Sequence, residues 1–415
     1  MKRSSRSMMR ALVLIVSLLV SACQPIVNSP PTQRQAVEGI TTEMGALEID
    51  SQTPYGRFNG IDYHMIEGKF VSTWDEMLFS APFEIVAPAN PHQGNGRLVI
   101  EPFHFIGGAG ARDDFLGPEL LFGSGFSHAA ICWQLPADFV EEHPCLDFEG
   151  KEEAEIAIIS AFARTLGGED AAQLVGDVVA LYSIGFSNSA DPIHNLLHNP
   201  AGKDLFDLTF IATTLWPFSD EPFAPLPADL PDSLLPPEDV GRVMVLQSEA
   251  DVILFNGVMH RDDGAHSYYR SYEVAGAQHV QGSGFPLGIG FVPVMRALFS
   301  AGDRWVIDGI EPPASVFLET APADEIDPVY DRITGIARDE SLNAKGGIRL
   351  PDVALGRSQY IVANLEEIWF GHTVDLACMP LADGSPRFSN HAFYVTRFVE
   401  ETARLVEGGF LLPDG

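Results

Sequence analysis

Three residue types that together cleave acyl bonds occur here in a definite order: Ser187, then Glu249 and Asp251, then His279. A serine hydroxyl attacks a carbonyl only if a base takes its proton and a carboxylate orients that base. Histidine suits the role of base because its ordinary pKa lies near neutrality. Ser187 is the centre of Gly185-Phe186-Ser187-Asn188-Ser189, where the apolar run VVALYSI gives way to small residues. A nucleophilic serine must stand clear of its strand and beside a helix N-terminus, whose dipole and N–H groups stabilise developing negative charge. A tight strand–serine–helix turn does this, with small residues two positions on either side because the backbones approach closely. Gly185 meets that need, and Ser189 stands where glycine is commoner. The same letters also suit a capping serine in an ordinary strand-to-helix turn. The partners decide between the two.

Each partner falls just beyond a strand-like run. Glu249-Ala250-Asp251 follows VMVLQS, and Ala275-Gly276-Ala277-Gln278-His279 follows SYYRSYEV. Ligands bind at the C-terminal ends of strands in open α/β sheets, and the chain order Ser, acid, His fits one such fold. Asp251 is the favoured acid, since it lies where the strand has ended and the loop has turned. Glu249 is the reserve, and whichever is not the acid is expected to support the loop by hydrogen bonding. An oxyanion needs two donors. One is expected from the backbone N–H of Asn188. The other is assigned to the loop FHFIGGAGARDD, where Gly107, Gly108 and Gly110 permit a bend and Phe103 or His104 supplies the N–H. Gly125-Phe126-Ser127-His128-Ala129 has nearly the same lettering as the Ser187 turn. A strand follows Ser127 instead of a helix, so no such turn forms there.

The elements that must hold these groups alternate. RLVIEPF (97–103), HAAICW (128–133), VVALYSI (178–184), LTFIATTLW (208–216), VMVLQS (243–248) and SYYRSYEV (267–274) read as strands. Several are continuously apolar, as strands covered on both faces are. EEAEIAIISAFARTL reads as an amphipathic helix and NLLHNPAGKDLFD as a shorter one. The expectation is an α/β fold, an open and mostly parallel central sheet with helices on both faces. Residues 217–240 are too rich in proline for a regular element and read as an excursion or lid. Residues 312–390 read as a C-terminal elaboration packing over the functional edge.

The chain has 415 residues, 46% of them hydrophobic, and 30 prolines, which describes a globular, loop-rich protein with ample core. MKRSSRSMMR, ALVLIVSLLV and VSAC have the charge, apolar length and small-residue ending of an export signal. A cysteine directly after that ending resembles a bacterial lipobox, implying a lipoprotein signal peptide over 1–22 and lipid on Cys23. Residues 23–50 then form a tether and 51–415 the folded domain. Localisation follows as an exported lipoprotein, periplasm-facing or in the outer membrane, attached to the membrane through that lipid. The formal charge of −32 becomes −36 when Lys2, Arg3, Arg6 and Arg10 leave with the signal. Such a surface repels nucleic acid and anionic headgroups. Of the remaining cysteines, Cys132 and Cys145 would close a short loop, and Cys378 is an alternative partner for either.

Other residues carry less. His194 and His198 have i, i+4 spacing, but HNLLH lacks a zinc-protease glutamate and a third ligand, so no metal is assigned. The Gly-Gly-Ala-Gly run lacks the Lys-Ser/Thr of a nucleotide loop. Arg261, Arg270 and His391 are candidates to touch substrate, although lone residues of these types more often pack or pair.

GFSNSA, LQSEADV and YYRSYEVAGAQHV together resemble a family of large bacterial α/β-hydrolases, akin in layout to esterases of the tannase type. RWVIDGIEPP, KGGIRLPD and FYVTRFVEETARLVEGGFLLP extend the resemblance over most of residues 54–415. It implies a carboxylic-ester hydrolase with Ser187 as nucleophile, His279 as base and the acid from SEAD, and Arg261 at a position often arginine. Ser189, Ala190 and Gln278 depart from the usual pattern. The reading is an exported serine esterase needing no cofactor, acting on a small-molecule or polymeric ester of hydrophobic character. An acyltransferase or amidase with the same triad, or a non-catalytic binding lipoprotein, are the alternatives.

Overall fold

The computed structural model describes residues 40–42, 44–74, 76–104, 109–133, 152–214, 235–254, 257–262, 266–279, 290–320, 335–362 and 372–413. Residues 1–22, read above as an export signal, Cys23, Cys145 and most of the 217–240 stretch lie outside the described residues.

The chain opens with antiparallel strands: β1 (Ile40–Thr42), β2 (Gly45–Phe58), β3 (Ile61–Trp74) and β4 (Met77–Pro88). Asn59 and Gly60 alone join β2 to β3, with φ of 46° and 87°. Two left-handed residues of this kind make the hairpin turn whose twist matches the strands. That Asn-Gly pair was the sequence signal for a meander that the reading of alternating strands and helices missed. The tether assignment of 23–50 is corrected here, because β2 begins at Gly45 and buries Leu47 in the core. Alternate apolar residues commit such a segment to a sheet face.

The six strands β5 (Arg97–Pro102), β6 (Ser127–Ile131), β7 (Ala180–Phe186), β8 (Leu208–Ala212), β9 (Arg242–Ser248) and β10 (Tyr269–Val274) are mutually parallel. The sheet order is β1-β2-β3-β4-β6-β5-β7-β8-β9-β10. All seven residues of β7 are buried, since helices cover both faces. On one face, α1 (Glu152–Gly167) and α2 (Ala190–Leu197) pack on Leu98, Ile100, Ile211 and Val245. Phe162 of α1 meets Phe70 and Phe83 with ring centroids 5.5 and 5.7 Å apart. On the other, α4 (Val292–Ile307), which follows the short α3 (Glu249–Leu254), packs Val294, Met295, Leu298 and Phe299 on Tyr182, Phe210 and Met244. Each such large side chain, fully buried, contributes roughly 1.5–3 kcal/mol. Gly302 lets α4 approach closely, for a Cβ there would lie 2.8 Å from both Leu208 and Met244.

Two local stops differ from the sequence reading. β8 ends at Ala212 because Thr213 takes φ 47°, a left-handed conformation that no strand continues. The helix after Ser187 covers Ala190–Leu197, and Pro200 starts a separate turn. Of the C-terminal elaboration, Val316 and Ile348 bridge in parallel to Tyr272 and Val274, so this part of the chain lies along the outer edge of β10. β11 (Ser358–Ile361) and β12 (His372–Asp375) pair separately, and α5 (His391–Glu407) follows.

Sheet order fixes where a site must lie. From β5 the chain moves to β6 on one side, then crosses back through α1 to β7 on the other. The loops leaving β5 and β7 therefore diverge and leave a crevice at their C-terminal ends.

Candidate active site

Ser187 directly follows β7 at that crevice with φ 53°, 4% exposed. A serine held in the left-handed region is strained, and the surrounding turn sustains it. Gly185 permits the turn: a Cβ there would lie 2.5 Å from the Ala190 Cα and 2.6 Å from the Ser189 carbonyl oxygen. Ser189, where glycine is commoner, spans the turn with its hydroxyl. Its Oγ accepts the Phe186 N–H at 3.0 Å and donates to the Phe186 carbonyl at 2.8 Å. The departure from glycine thus satisfies two buried backbone groups.

The Ser187 Oγ lies 2.9 Å from His279 Nε2, and His279 Nδ1 lies 2.5 Å from Asp251 Oδ1. Histidine is 1% exposed and the aspartate 0%. Because a carboxylate only accepts, Nδ1 carries the proton and Nε2 is left to accept from the serine hydroxyl. The carboxylate is itself fixed. Its Oδ2 accepts the Ser248 N–H at 2.9 Å, while the Ser248 Oγ accepts the Asp251 N–H at 3.1 Å. A hydroxyl, an imidazole and a carboxylate so arranged can move a proton off the serine as it attacks an electrophilic carbon.

Glu249, the reserve acid, is fully buried and points elsewhere. Its Oε2 accepts the Gly276 N–H at 2.7 Å, and its Oε1 meets the Arg338 guanidinium. It thus braces the backbone three residues before His279 and does not meet the imidazole.

Of the two candidates in the loop after β5, Phe103 is excluded. Its N–H donates to the Ile131 carbonyl at 2.9 Å, continuing the β5–β6 pairing, and its carbonyl accepts from Trp133 Nε1 at 2.7 Å. His104 comes next and is buried, its ring centroid 5.7 Å from that of Phe186. Burial, then the neighbouring His279, lowers its pKa to about 3, so this ring is neutral. Asn188 follows Ser187 in the first helical turn. Gly107 and Gly108 lie outside the described residues.

Beneath that loop lies a pair that sequence reasoning missed. Glu101, the fifth residue of β5, is fully buried and stands 2.8 Å from His128 Nε2. Its Oε1 accepts the Ala111 N–H at 2.6 Å. Burial raises Glu101 to about 8 and lowers His128 to about 3, so the two share a hydrogen bond as neutral groups. A charged residue inside the strand RLVIEPF was the available signal. His128 belongs to the decoy stretch, whose Ser127 begins β6 and donates to the Val175 carbonyl at 3.1 Å. No nucleophile turn forms there.

An aromatic cluster backs the site. Phe186 has ring centroids 4.0 Å from Phe115, 6.0 Å from Phe291 and 6.0 Å from His279. The candidate substrate arginines are engaged elsewhere. Arg261 holds Glu273 through two 2.6 Å hydrogen bonds and reaches the Leu318 carbonyl, and Arg270 pairs with Glu311. His391 is exposed at the first residue of α5. His194 and His198 lie with ring centroids 4.8 Å apart, and among the described residues no group of three or more metal-ligand types is placed to hold an ion. Cys132 is disulfide-bonded, while Cys378 is free and exposed, which removes Cys378 as its partner. Among the described residues no helix is long and apolar enough to cross a membrane.

Residues 143–290 and 288–415 match the model of a protein family described as Alpha/beta hydrolase domain. The two segments together take in Ser187, Asp251 and His279 and more than half of the 415 residues. No curated protein sequence matches the chain. Among solved structures, the chain is similar to a mutant of the esterase rPPE complexed with (S)-Ac-CPA, at 13% identity and TM-score 0.30. That match covers 45% of this chain and 64% of the other, so less than two thirds of that protein's length is spanned. The esterase Pf2001 of Pyrococcus furiosus is 12% identical with TM-score 0.33, over 61% of this chain and 92% of its own. A structure from work on two fungal esterases of Rhizomucor miehei is 12% identical with TM-score 0.28, covering 45% of this chain and 66% of that one.

Proposed function

We propose that the chain, which belongs to the alpha/beta hydrolase domain family, is an exported serine esterase, anchored by lipid on Cys23 and akin to the tannase type. The observation that carries the catalytic part is the 2.9 Å contact between Ser187 Oγ and His279 Nε2 at a serine with φ 53°. A strained serine held within reach of a histidine is what a nucleophile turn requires.

In this reading Ser187 Oγ bonds to the ester carbonyl carbon as its proton passes to His279 Nε2. The Asp251 carboxylate stabilises the resulting imidazolium, and the backbone N–H groups of Asn188 and His104 receive the carbonyl oxygen as it gains charge. Collapse breaks the carbon–oxygen bond, and the imidazolium returns the proton to the departing alcohol. Water then repeats the sequence on the acyl-enzyme, releasing the acid and restoring the serine. The substrate in this reading is a hydrophobic or aromatic ester. No step needs a cofactor.

Cleavage of short p-nitrophenyl esters by the soluble domain tests the reading. Ser187→Ala should lower kcat by on the order of 10⁴-fold or more. Equal turnover by wild type and variant would remove Ser187 from the chemistry.

A further inference from the structure

The loop bearing His279 is fastened at three successive residues. Ala275 N–H donates to the Ile348 carbonyl at 3.0 Å, Gly276 N–H to Glu249 Oε2 at 2.7 Å, and the Ala277 carbonyl accepts the Ala250 N–H at 3.1 Å. Two of these bonds reach the turn that carries Asp251. The third reaches the C-terminal part of the chain.

That C-terminal part adds a charge to the same junction. Arg338 pairs with Glu249 Oε1, the arginine side chain 12% and the glutamate 1% exposed. Arg338 is held in place by bridging to Ala344, and the Lys345 N–H donates to the Ala337 carbonyl at 2.9 Å. The same stretch docks on β10 where Val274 bridges to Ile348. A carboxylate with no exposure to water depends on its partners for stabilisation. Glu249 has one partner in the histidine loop and one far along the chain, so a change at Arg338 reaches Gly276 through a single side chain.

We propose that Arg338 and Glu249 are positioning residues that set the height of the histidine loop, and with it the approach of His279 Nε2 to Ser187 Oγ. The inference rests on the serine-hydrolase reading and goes beyond it, for it makes residues 335–350 a working part of the proton-transfer geometry. Gly276 is three residues from His279, and Gly276 has φ 74° with Val353 packed against its Cα, where a Cβ would lie 2.8 Å from Val353. The loop has little room to relax except by moving as a whole. A displacement of about 1 Å at reacting groups lowers turnover by on the order of 10²-fold.

The test uses the full soluble chain and p-nitrophenyl esters, with Ser187→Ala assayed in parallel. Arg338→Met should lower kcat about 10- to 100-fold while KM changes by less than about twofold. Arg338→Lys, which keeps the charge, should retain most of the turnover. Added guanidinium ion should restore part of the activity of Arg338→Ala. The double variant Arg338→Met, Glu249→Gln should turn over faster than Arg338→Met alone, since a neutral amide needs no counter-charge and still accepts from Gly276. Wild-type kcat in Arg338→Met, beside an inactive Ser187→Ala, overturns the positioning role and leaves the hydrolase reading standing. Loss that neither lysine nor guanidinium repairs, with a matching fall in Tm, assigns Arg338 to general stability and overturns it equally. An active Ser187→Ala overturns both.

Discussion

Asp251 and Glu249 stand two residues apart on one helical turn, and their carboxylates address different partners. Asp251 Oδ1 meets His279 Nδ1 at 2.5 Å, whereas Glu249 Oε2 accepts the Gly276 N–H at 2.7 Å. At 3.6 residues per turn, positions i and i+2 point to nearly opposite sides of a helix, about 200° apart. One of the pair can face the imidazole and the other is directed to the backbone behind it.

The two carboxylates therefore separate in mutagenesis. Asp251→Asn replaces an acceptor with an amide that favours the wrong tautomer of His279, and kcat should fall by about 10⁴-fold. Glu249→Gln keeps an acceptor for Gly276 and loses only the charge facing Arg338, so a fall nearer tenfold is expected. Steady-state kinetics on one ester decides between them. A larger loss for Glu249→Gln would exchange the two roles.

Gly185→Ala should damage the turn without touching a reacting group. The added Cβ would press on Ser189 and Ala190 backbone atoms at 2.5–2.9 Å. Overpacking of this kind costs about 1–3 kcal/mol, and Ser187 would be displaced as the turn relaxes. Thermal unfolding should show the lower Tm and ester turnover the loss. An alanine variant with wild-type values of both would mean that the close approach is not tight.

Stability should pass through a maximum near neutral pH, for reasons legible in three buried groups. Burial raises Glu101 to about 8, so the folded chain binds more protons than the unfolded one between the ordinary glutamate value of 4.5 and that point. Its contribution falls as pH rises through this range. Burial lowers His104 and His128 to about 3, so their contribution rises with pH up to the ordinary histidine value of 6.5. Above that value only the glutamate effect remains, a decline of up to about 1.4 kcal/mol per pH unit until about pH 8. Glu101→Gln retains an acceptor for Ala111 and a donor for His128 and should abolish the alkaline decline. Denaturant titrations at several pH values compare the slopes, and an unchanged slope would contradict the neutral Glu101–His128 pair.

Cys23→Ser tests the proposed anchor in isolation from the chemistry. The full-length wild type should fractionate with membranes when expressed in a bacterial host, and the serine variant should be recovered in soluble form with unchanged ester turnover. Membrane association that survives the substitution would argue against lipid on this cysteine.

Much of the site was legible because it is written in short stretches. Ser187, Asp251 and His279 each follow a buried strand, and Gly185 marks the close approach that lets the chain turn. The oxyanion candidates were half legible. Sequence pointed to Phe103 and His104 alike, but only the pairing of β5 with β6 shows that the Phe103 N–H is already bound to Ile131. The meander of β2 to β4 was overlooked although Asn59-Gly60 announced its first turn.

By itself the sequence determined the alternation of strands and helices, the turn around Ser187 and the chain order of Ser187, Asp251 and His279. These depend on neighbours a few residues apart, through periodicity, backbone preference and the absence of a side chain at glycine. Tertiary structure alone decided which carboxylate faces the imidazole, which backbone N–H groups are already engaged, and that Arg338 meets Glu249 across 89 residues. Such contacts form only when the sheet order brings distant loops to one edge, and local residue preferences carry no record of that closure.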